Sequence, residues 1–360
     1  MTMKRLLFIS ALALTTVVFV MPGFISKDKP EKRALDKIEF NIKESDKRVD
    51  ITVSGKPFTS YCWPDTVMKP VLYPVYTSAG TEITRGFPLN TRGGERSDHP
   101  HHVGIWLNYG DVNGFDFWGN SYEIPAETRK VHCGKIVHLG VEKVKGGSGE
   151  GSMITKASWL DPFGKELLAE KSEYHFISKG SIRIIDRITT LTATHGDVKM
   201  GDTKEGMFGI RVARQLELPS KEDVTLTDAL GNPTKVKKLS NEGVTGNYKS
   251  SEGVTGENVW GTRAKWMDLY GSIGAEKISV VIGDHPKNVS YPTYWHARGY
   301  GLFCLNPFGV KDFTKGKETL NYQIPANKSL TLRYRVVVSS GKQLTDDEIE
   351  TLSDEFAKRY

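Results

Sequence analysis

Asp98-His99-Pro100-His101-His102 places three of the chain's nine histidines within four positions, beside a carboxylate and ahead of the run Val103-Gly104-Ile105-Trp106. An imidazole titrates near neutrality, which suits it to acid/base chemistry or to donating a hydrogen bond to a substrate. His99, His101 and His102 are therefore candidate catalytic groups, with Asp98 beside them for substrate contact. Pro100 removes a backbone donor and stiffens the segment. If residues 101–106 are extended, His101 and His102 point to opposite faces. Two adjacent histidines so placed cannot easily share one metal ion. No CxxC spacing exists, and no second ligand pair, such as HxH on one strand with a later Glu, stands out, so no metal and no cofactor is expected.

Three later segments carry the other candidates. Residues 110–119 (GDVNGFDFWG) follow a turn with Asp116 and Trp118 on one face of a short strand. A tryptophan beside a carboxylate can stack on a sugar ring while the acid takes its hydroxyls, and tryptophan is equally a core filler. Residues 201–214 (GDTKEGMFGIRVAR) hold Asp202, Glu205 and Arg211. Glu205 is a candidate general base at a strand entrance. Arg211, on an apolar strand, needs either a buried acid or a ligand oxygen. Residues 283–308 bring a second His-Pro at His285, then Trp295 and Arg298 in a loop crowded with Tyr291, Tyr294 and His296. Such a loop reads as a binding loop. In residues 259–270, Trp260 and Trp266 read as core and Asp268 as a weaker site candidate.

The elements that must position these groups are strands. KIEFNIK (37–43), RVDITV (48–53) and KIVHLGVEKVK (135–145) alternate with period two. Residues 71–77 and 82–84 flank Ser-Ala-Gly, residues 159 and 167 bracket DPFGKE, and residues 174–177 and 182–191 flank SKGS: three hairpin signals. Further strands are expected at 277–282, 300–305 and 330–338. The echoing loops NEGVTGN (241–247) and SEGVTGE (251–257) read as paired turns bordering a cleft. One helix is expected, in TDDEIETLSDEFAKRY: Thr345 and Glu348 make a capping box, and Ile349, Leu352 and Phe356 share a face. The fold class is all-β, a large antiparallel β-sandwich over residues 36–340 with a C-terminal helix in 341–360.

The 360 residues carry a net charge of +6. Residues 1–26 have a Lys4-Arg5 start and an apolar run from Leu6 to Val20, the pattern of a signal peptide or an N-terminal anchor. Residues 27–35 read as a charged linker. Removing residues 1–26 takes Lys4 and Arg5 and no acid, leaving +4. No clustered basic stripe is present, so no nucleic-acid partner is expected. Export to the periplasm or beyond is expected, with membrane contact only through an uncleaved N-terminal segment. Cys62, Cys133 and Cys304 are too few for a disulfide framework, although one bridge is possible.

Four runs in order, DHPHHVGIWLNYGDVNGFDFWG, DTKEGMFGIRVA, WGTRAKWMDLYG and DHPKNVSYPTYWHARGYGLFCLNPFG, resemble the PmoA-like family of exported bacterial proteins, over roughly residues 50–340. That family is similar in architecture to the galactose-mutarotase-like β-supersandwich. The resemblance implies a small-molecule or oligosaccharide ligand. It also implies a histidine pair and a carboxylate facing a concave sheet, with His99, His101 or His102 matched to one role and Glu205 to the other. The leading expectation is a carbohydrate-active epimerase, lyase or hydrolase using His/Glu acid/base chemistry. The alternatives are a non-catalytic glycan-binding protein and a His-ligated, metal-dependent oxygenase.

Overall fold

The computed structural model describes residues 1–2, 35–236 and 240–360. Residues 3–26 of the expected export segment, and the expected linker apart from Leu35, lie outside the described residues. No helix among the described residues is long and apolar enough to cross a membrane. Residues Leu35–Tyr360 form one compact unit.

Two large antiparallel sheets form the body of this unit, and two two-stranded sheets, Val198–Met200 with Tyr322–Ile324 and Val224–Thr227 with Pro233–Val236, lie beside them. The nine-stranded sheet runs, in spatial order, through Tyr294–Trp295, Leu302–Asn306, Gly206–Arg211, Ile105–Tyr109, Val71–Val75, Lys56–Cys62, Arg48–Val53, Lys37–Lys43 and Gly147–Ser148. The eight-stranded sheet runs through Asn247–Ser250, Trp266–Ile273, Glu276–Asp284, Ser329–Ser340, Ile182–Ala193, Glu166–Lys179, Glu150–Leu160 and Lys135–Lys145. The expected antiparallel β-sandwich is the observed fold. The second half of the 71–77/82–84 hairpin is the exception. Glu82 and Thr84 make only single bridges, to Tyr76 and Val212.

Period-two alternation sorts side chains between layers. Ile105, Leu107 and Tyr109 enter the core between the sheets, as do Phe303 and Leu305. Trp106, Leu302 and Cys304 face the other way and join Val71, Tyr73, Val103 and Trp118 in a second apolar cluster. The sheet is thus apolar on both faces at its centre, and all of Ile105–Tyr109 is buried. Loops cover the outer cluster, and the candidate site lies among them. Gly209 sits where a Cβ would lie 3.1 Å from the Trp106 ring, so glycine lets that ring lie flat against the sheet.

The terminal helix occupies the opposite pole of the molecule. It spans Asp346–Arg359, with the Thr345–Glu348 capping box formed in both directions and Ile349, Leu352 and Phe356 buried. It packs on the outer face of the eight-stranded sheet with Trp266, Val281 and Val337. Beneath it, Arg335 grips Asp186 through two 2.7 Å bonds and donates to the Leu352 carbonyl at 2.7 Å. Ala126–His132 and Val310–Phe313 form two further short helices that the sequence pattern did not signal.

Candidate active site

The histidine segment is a turn, because His99 and Gly104 both adopt left-handed backbone, with φ of 45° and 57°. At Gly104 a Cβ would lie 2.2 Å from the Leu72 carbonyl oxygen, so only glycine fits there. The strand proper starts at Ile105. The expectation that His101 and His102 diverge is therefore corrected. Without extended backbone they share one side, their ring centroids 4.3 Å apart and edge-to-face.

Arg85 ties the turn together. Its guanidinium donates to the carbonyl oxygens of Arg96, Asp98, His99 and His102, at 3.2, 2.7, 2.9 and 3.0 Å. Asp98 Oδ1 accepts from Arg85 at 2.9 Å and from Arg211 at 2.6 Å, and lies 3.3 Å from His99 Nδ1. Burial acting alone would raise the Asp98 carboxyl. Arg211, His99 and Arg85 outweigh it and hold Asp98 well below the usual carboxylate range. Arg211 Nη1 lies 3.3 Å from His102 Nδ1. A guanidinium only donates, so Nδ1 of His102 accepts and the ring proton sits on Nε2. Tyr300, His99, His102 and Trp106 then stack face to face, with successive centroids 5.2, 4.8 and 5.3 Å apart.

A cavity of about 690 Å³ opens over this stack, lined among others by His99, His101, His102, Asp116, Trp118 and Glu205. Its far wall holds His296, Arg298 and Tyr300. His296 follows the strand Tyr294–Trp295. Its Nδ1 donates to the Lys204 carbonyl at 2.8 Å and lies 3.9 Å from Glu205 Oε2. That leaves Nε2 as the free acceptor, with the Glu205 carboxylate behind the ring. Glu205 also takes an ion pair from Lys204. Asp116 Oδ1 accepts the backbone N–H groups of Trp118 and Gly119 at 2.7 and 2.9 Å.

Burial sets the protonation states. It pushes His101 down to about 2, with Lys69 and His99 adding to the effect. It holds His102 well below the usual value, and takes His296 to about 4 against the pull of Glu205. All three are neutral at pH 7. Burial raises Asp116 despite its two backbone bonds, with Glu205 adding to the rise. It also brings Lys69 down to about 7 against the pull of Asp116. Lys69 donates to the His101 carbonyl at 2.7 Å.

Of the sequence candidates, the cavity lining thus collects His99, His101, His102, Glu205, Asp116, Trp118 and Arg298. Asp98 and Arg211 form the layer behind the imidazoles. Three candidates are corrected. Asp202 accepts the backbone N–H groups of Lys311, Leu320 and Asn321 at 2.7–2.9 Å, and so ties a loop. Trp295 pairs with Leu305, faces the inter-sheet core and donates Nε1–H to the Ala264 carbonyl at 3.1 Å. His285 follows a strand of the eight-stranded sheet and meets Phe356 of the terminal helix edge-on at 5.0 Å. The weaker candidate Asp268 is buried in that same sheet. His296, Tyr300, Lys69 and Arg85 were not among the candidates. His296 was within reach of the period-two rule: with Trp295 inward, its neighbour faces out. Lys69 and Arg85 stand in loops with no local signal.

No group of three or more His, Cys, Asp and Glu among the described residues is arranged to hold a metal ion. A second cavity, of about 710 Å³, is lined by Glu82, Arg92, Glu95 and Arg214 among others. There Arg92 pairs with both Glu82 and Glu95, at 2.9 and 2.6 Å. Cys62, Cys133 and Cys304 are all free thiols.

A model described as a family of unknown function, DUF6807, matches residues 48–354. The chain belongs to that family. No curated protein matches it. Among solved structures, this family member is similar to the galactosidase domain of an α-galactosidase–sucrose kinase, AgaSK. There the identity is 9% and the TM-score 0.37, over 84% of this chain and 41% of that one. It is also similar to a β-arabinopyranosidase, with 8% identity and a TM-score of 0.30, over 86% of this chain and 40% of that one. A GH36 α-galactosidase from Geobacillus stearothermophilus, in complex with 1-deoxygalactonojirimycin, gives 8% identity and a TM-score of 0.32, over 85% and 41%. The chain spans about two fifths of the length of each of these structures.

Proposed function

We propose that this protein is an exported carbohydrate-active enzyme that performs acid/base chemistry on a sugar ring. One observation carries the reading: His296, with Glu205 3.9 Å behind its ring, shares a cavity of about 690 Å³ with the aromatic rings of Trp118 and Tyr300. The cavity has the size of a small-ligand site. An imidazole oriented by a carbonyl and backed by a carboxylate is a general base with a fixed tautomer. Trp118 and Tyr300 offer faces for sugar C–H groups, and Asp116 and the neutral His101 offer polar contacts to hydroxyls. The Asp98–Arg211–His102 chain holds one wall rigid. The resemblance to PmoA-like exported proteins and the signal-like N-terminus fit this reading.

The test is product formation from a panel of monosaccharides and oligosaccharides by the purified chain, with Glu205→Gln and His296→Asn as controls. Both substitutions are expected to abolish turnover and to leave the melting temperature nearly unchanged. Sugar binding with no product from any member of the panel would replace the enzyme by a glycan-binding protein. Turnover that survives both substitutions would remove this site from the chemistry.

A further inference from the structure

The cations lining the cavity are not equivalent. Arg96 is held by Glu217, Nε to Oε2 at 2.7 Å, and Lys204 is paired with Glu205. Arg298 stands apart: its guanidinium makes no ion pair and no hydrogen bond with any described residue. It lies over the ring of Trp260, with Cζ 4.5 Å from the centroid. Its backbone is fixed on both sides. The Arg298 N–H donates to Leu302 at 2.8 Å, and its carbonyl accepts from Gly301 at 3.0 Å and from the Tyr248 hydroxyl at 3.1 Å. Glu222 and Glu257 also line the cavity, and neither reaches ion-pair distance. A guanidinium stacked on an indole keeps its in-plane N–H edge free, the geometry that takes a carboxylate through two parallel bonds. His296 lies two residues away on the same wall.

We infer that the ligand is a uronic-acid chain whose carboxylate docks on Arg298, and that the reaction is β-elimination; this rests on the sugar-enzyme reading above. With the carboxylate on Arg298, the carbon bearing it, C5, faces the neighbouring base. His296 Nε2 takes the C5 proton. The C5–H electron pair becomes the C4=C5 double bond as the C4–O4 bond breaks. O4 leaves with the proton of the Tyr300 hydroxyl, as a hydroxyl of the preceding sugar. Solvent then takes the proton from His296 and returns one to Tyr300. No water is consumed and nothing is oxidised or reduced, so the residues present suffice. Arg298 stabilises the negative charge that spreads onto the carboxylate as C5 loses its proton.

The experiment uses the full chain with 1,4-linked oligosaccharides of glucuronate, galacturonate and mannuronate, and with the same chains after reduction of each carboxyl to the alcohol. Ultraviolet absorbance of the double bond conjugated to the carboxylate reports elimination, and calorimetry reports binding. Absorbance growing with a uronate, and not with its reduced counterpart, is expected. Arg298→Gln should lower kcat/KM roughly 10- to 100-fold, the loss of a charge-assisted pair, at an unchanged melting temperature. Cleavage of a uronate without the double bond would overturn the elimination, and so would uronate binding without cleavage. Turnover of the reduced chains alone would overturn the anionic ligand and leave the sugar-enzyme reading standing. An Arg298→Gln enzyme as active as the wild type would overturn the docking role. Neither binding nor turnover of any chain would overturn this inference together with the sugar reading.

Discussion

Asp98→Asn isolates the charge that holds the histidine turn. The amide is the same size and can still accept a bond at Oδ1, so the negative charge goes while that bond can remain, with an NH2 group in place of Oδ2. That charge faces two guanidiniums whose side chains are 1% and 0% exposed, Arg85 and Arg211. Burial, and then the neighbouring Arg211, hold Arg85 below its usual value. Breaking a buried ion pair costs about 3–5 kcal/mol. The Asp98 side chain is 33% exposed, and solvent screens part of the interaction, so about 3 kcal/mol is the working figure. At an unfolding entropy of roughly 2.1 cal/mol/K per residue, a chain of this size should melt about 4 °C lower. The assay is calorimetric melting of both proteins at neutral pH, then in acid. The Asp98 carboxyl is depressed in the folded state. Its contribution is therefore complete above the unfolded value of 3.8 and drains away as pH falls below it, so the gap between the two proteins should narrow only there. Nitrogen NMR of His102 should show the Nε2–H form in the wild type and a mixture of tautomers in the variant. Equal melting temperatures at neutral pH, with the His102 tautomer unchanged, would refute the claim that this carboxylate organises the turn.

Other expectations follow from the same geometry. Phe356→Ala, which empties a fully buried position beneath the terminal helix, should cost about 3–5 kcal/mol in urea unfolding and leave turnover per folded molecule intact, because the helix sits on the other sheet. Gly104→Ala puts a Cβ 2.2 Å from the Leu72 oxygen at a left-handed φ, and should destabilise by about 3 kcal/mol or more and displace the imidazoles; a fully stable, active variant would contradict the observed turn. His296 is neutral above about 4 and loses its base function only below, so the acid limb of kcat/KM should fall near 4; a limb near 6.5 would mean that burial does not govern this ring.

The sandwich was legible because a half-buried strand writes its two environments into alternate residues. KIEFNIK, RVDITV and KIVHLGVEKVK announce themselves in this way, and their observed bounds, Lys37–Lys43, Arg48–Val53 and Lys135–Lys145, are the expected ones. The terminal helix was legible for a similar reason, since its cap and its apolar face are both local. Ala126–His132 has neither a capping side chain nor a buried face, so nothing in AETRKVH marks it.

The site was legible only in part, because alternation says which face a residue takes and not what covers that face. Among the candidates of residues 283–308, Trp295 and Arg298 have opposite parity. With Trp295 committed to the core, His296 and Arg298 are the pair left facing the cavity. The parity rule, pressed one step further, would have exchanged Trp295 for His296. At residues 101–106 the same rule misleads, because Gly104 breaks the extension that the rule presumes. Glycine is what permits the left-handed turn, and the turn is what turns His101 and His102 to one side. The apolar look of VGIWLNY therefore conceals a bend just where the chemistry-bearing side chains must converge. Arg85 and Lys69 were beyond any local rule. They act through carbonyl oxygens 11–17 and 32 residues away, and only the folded chain brings those within reach.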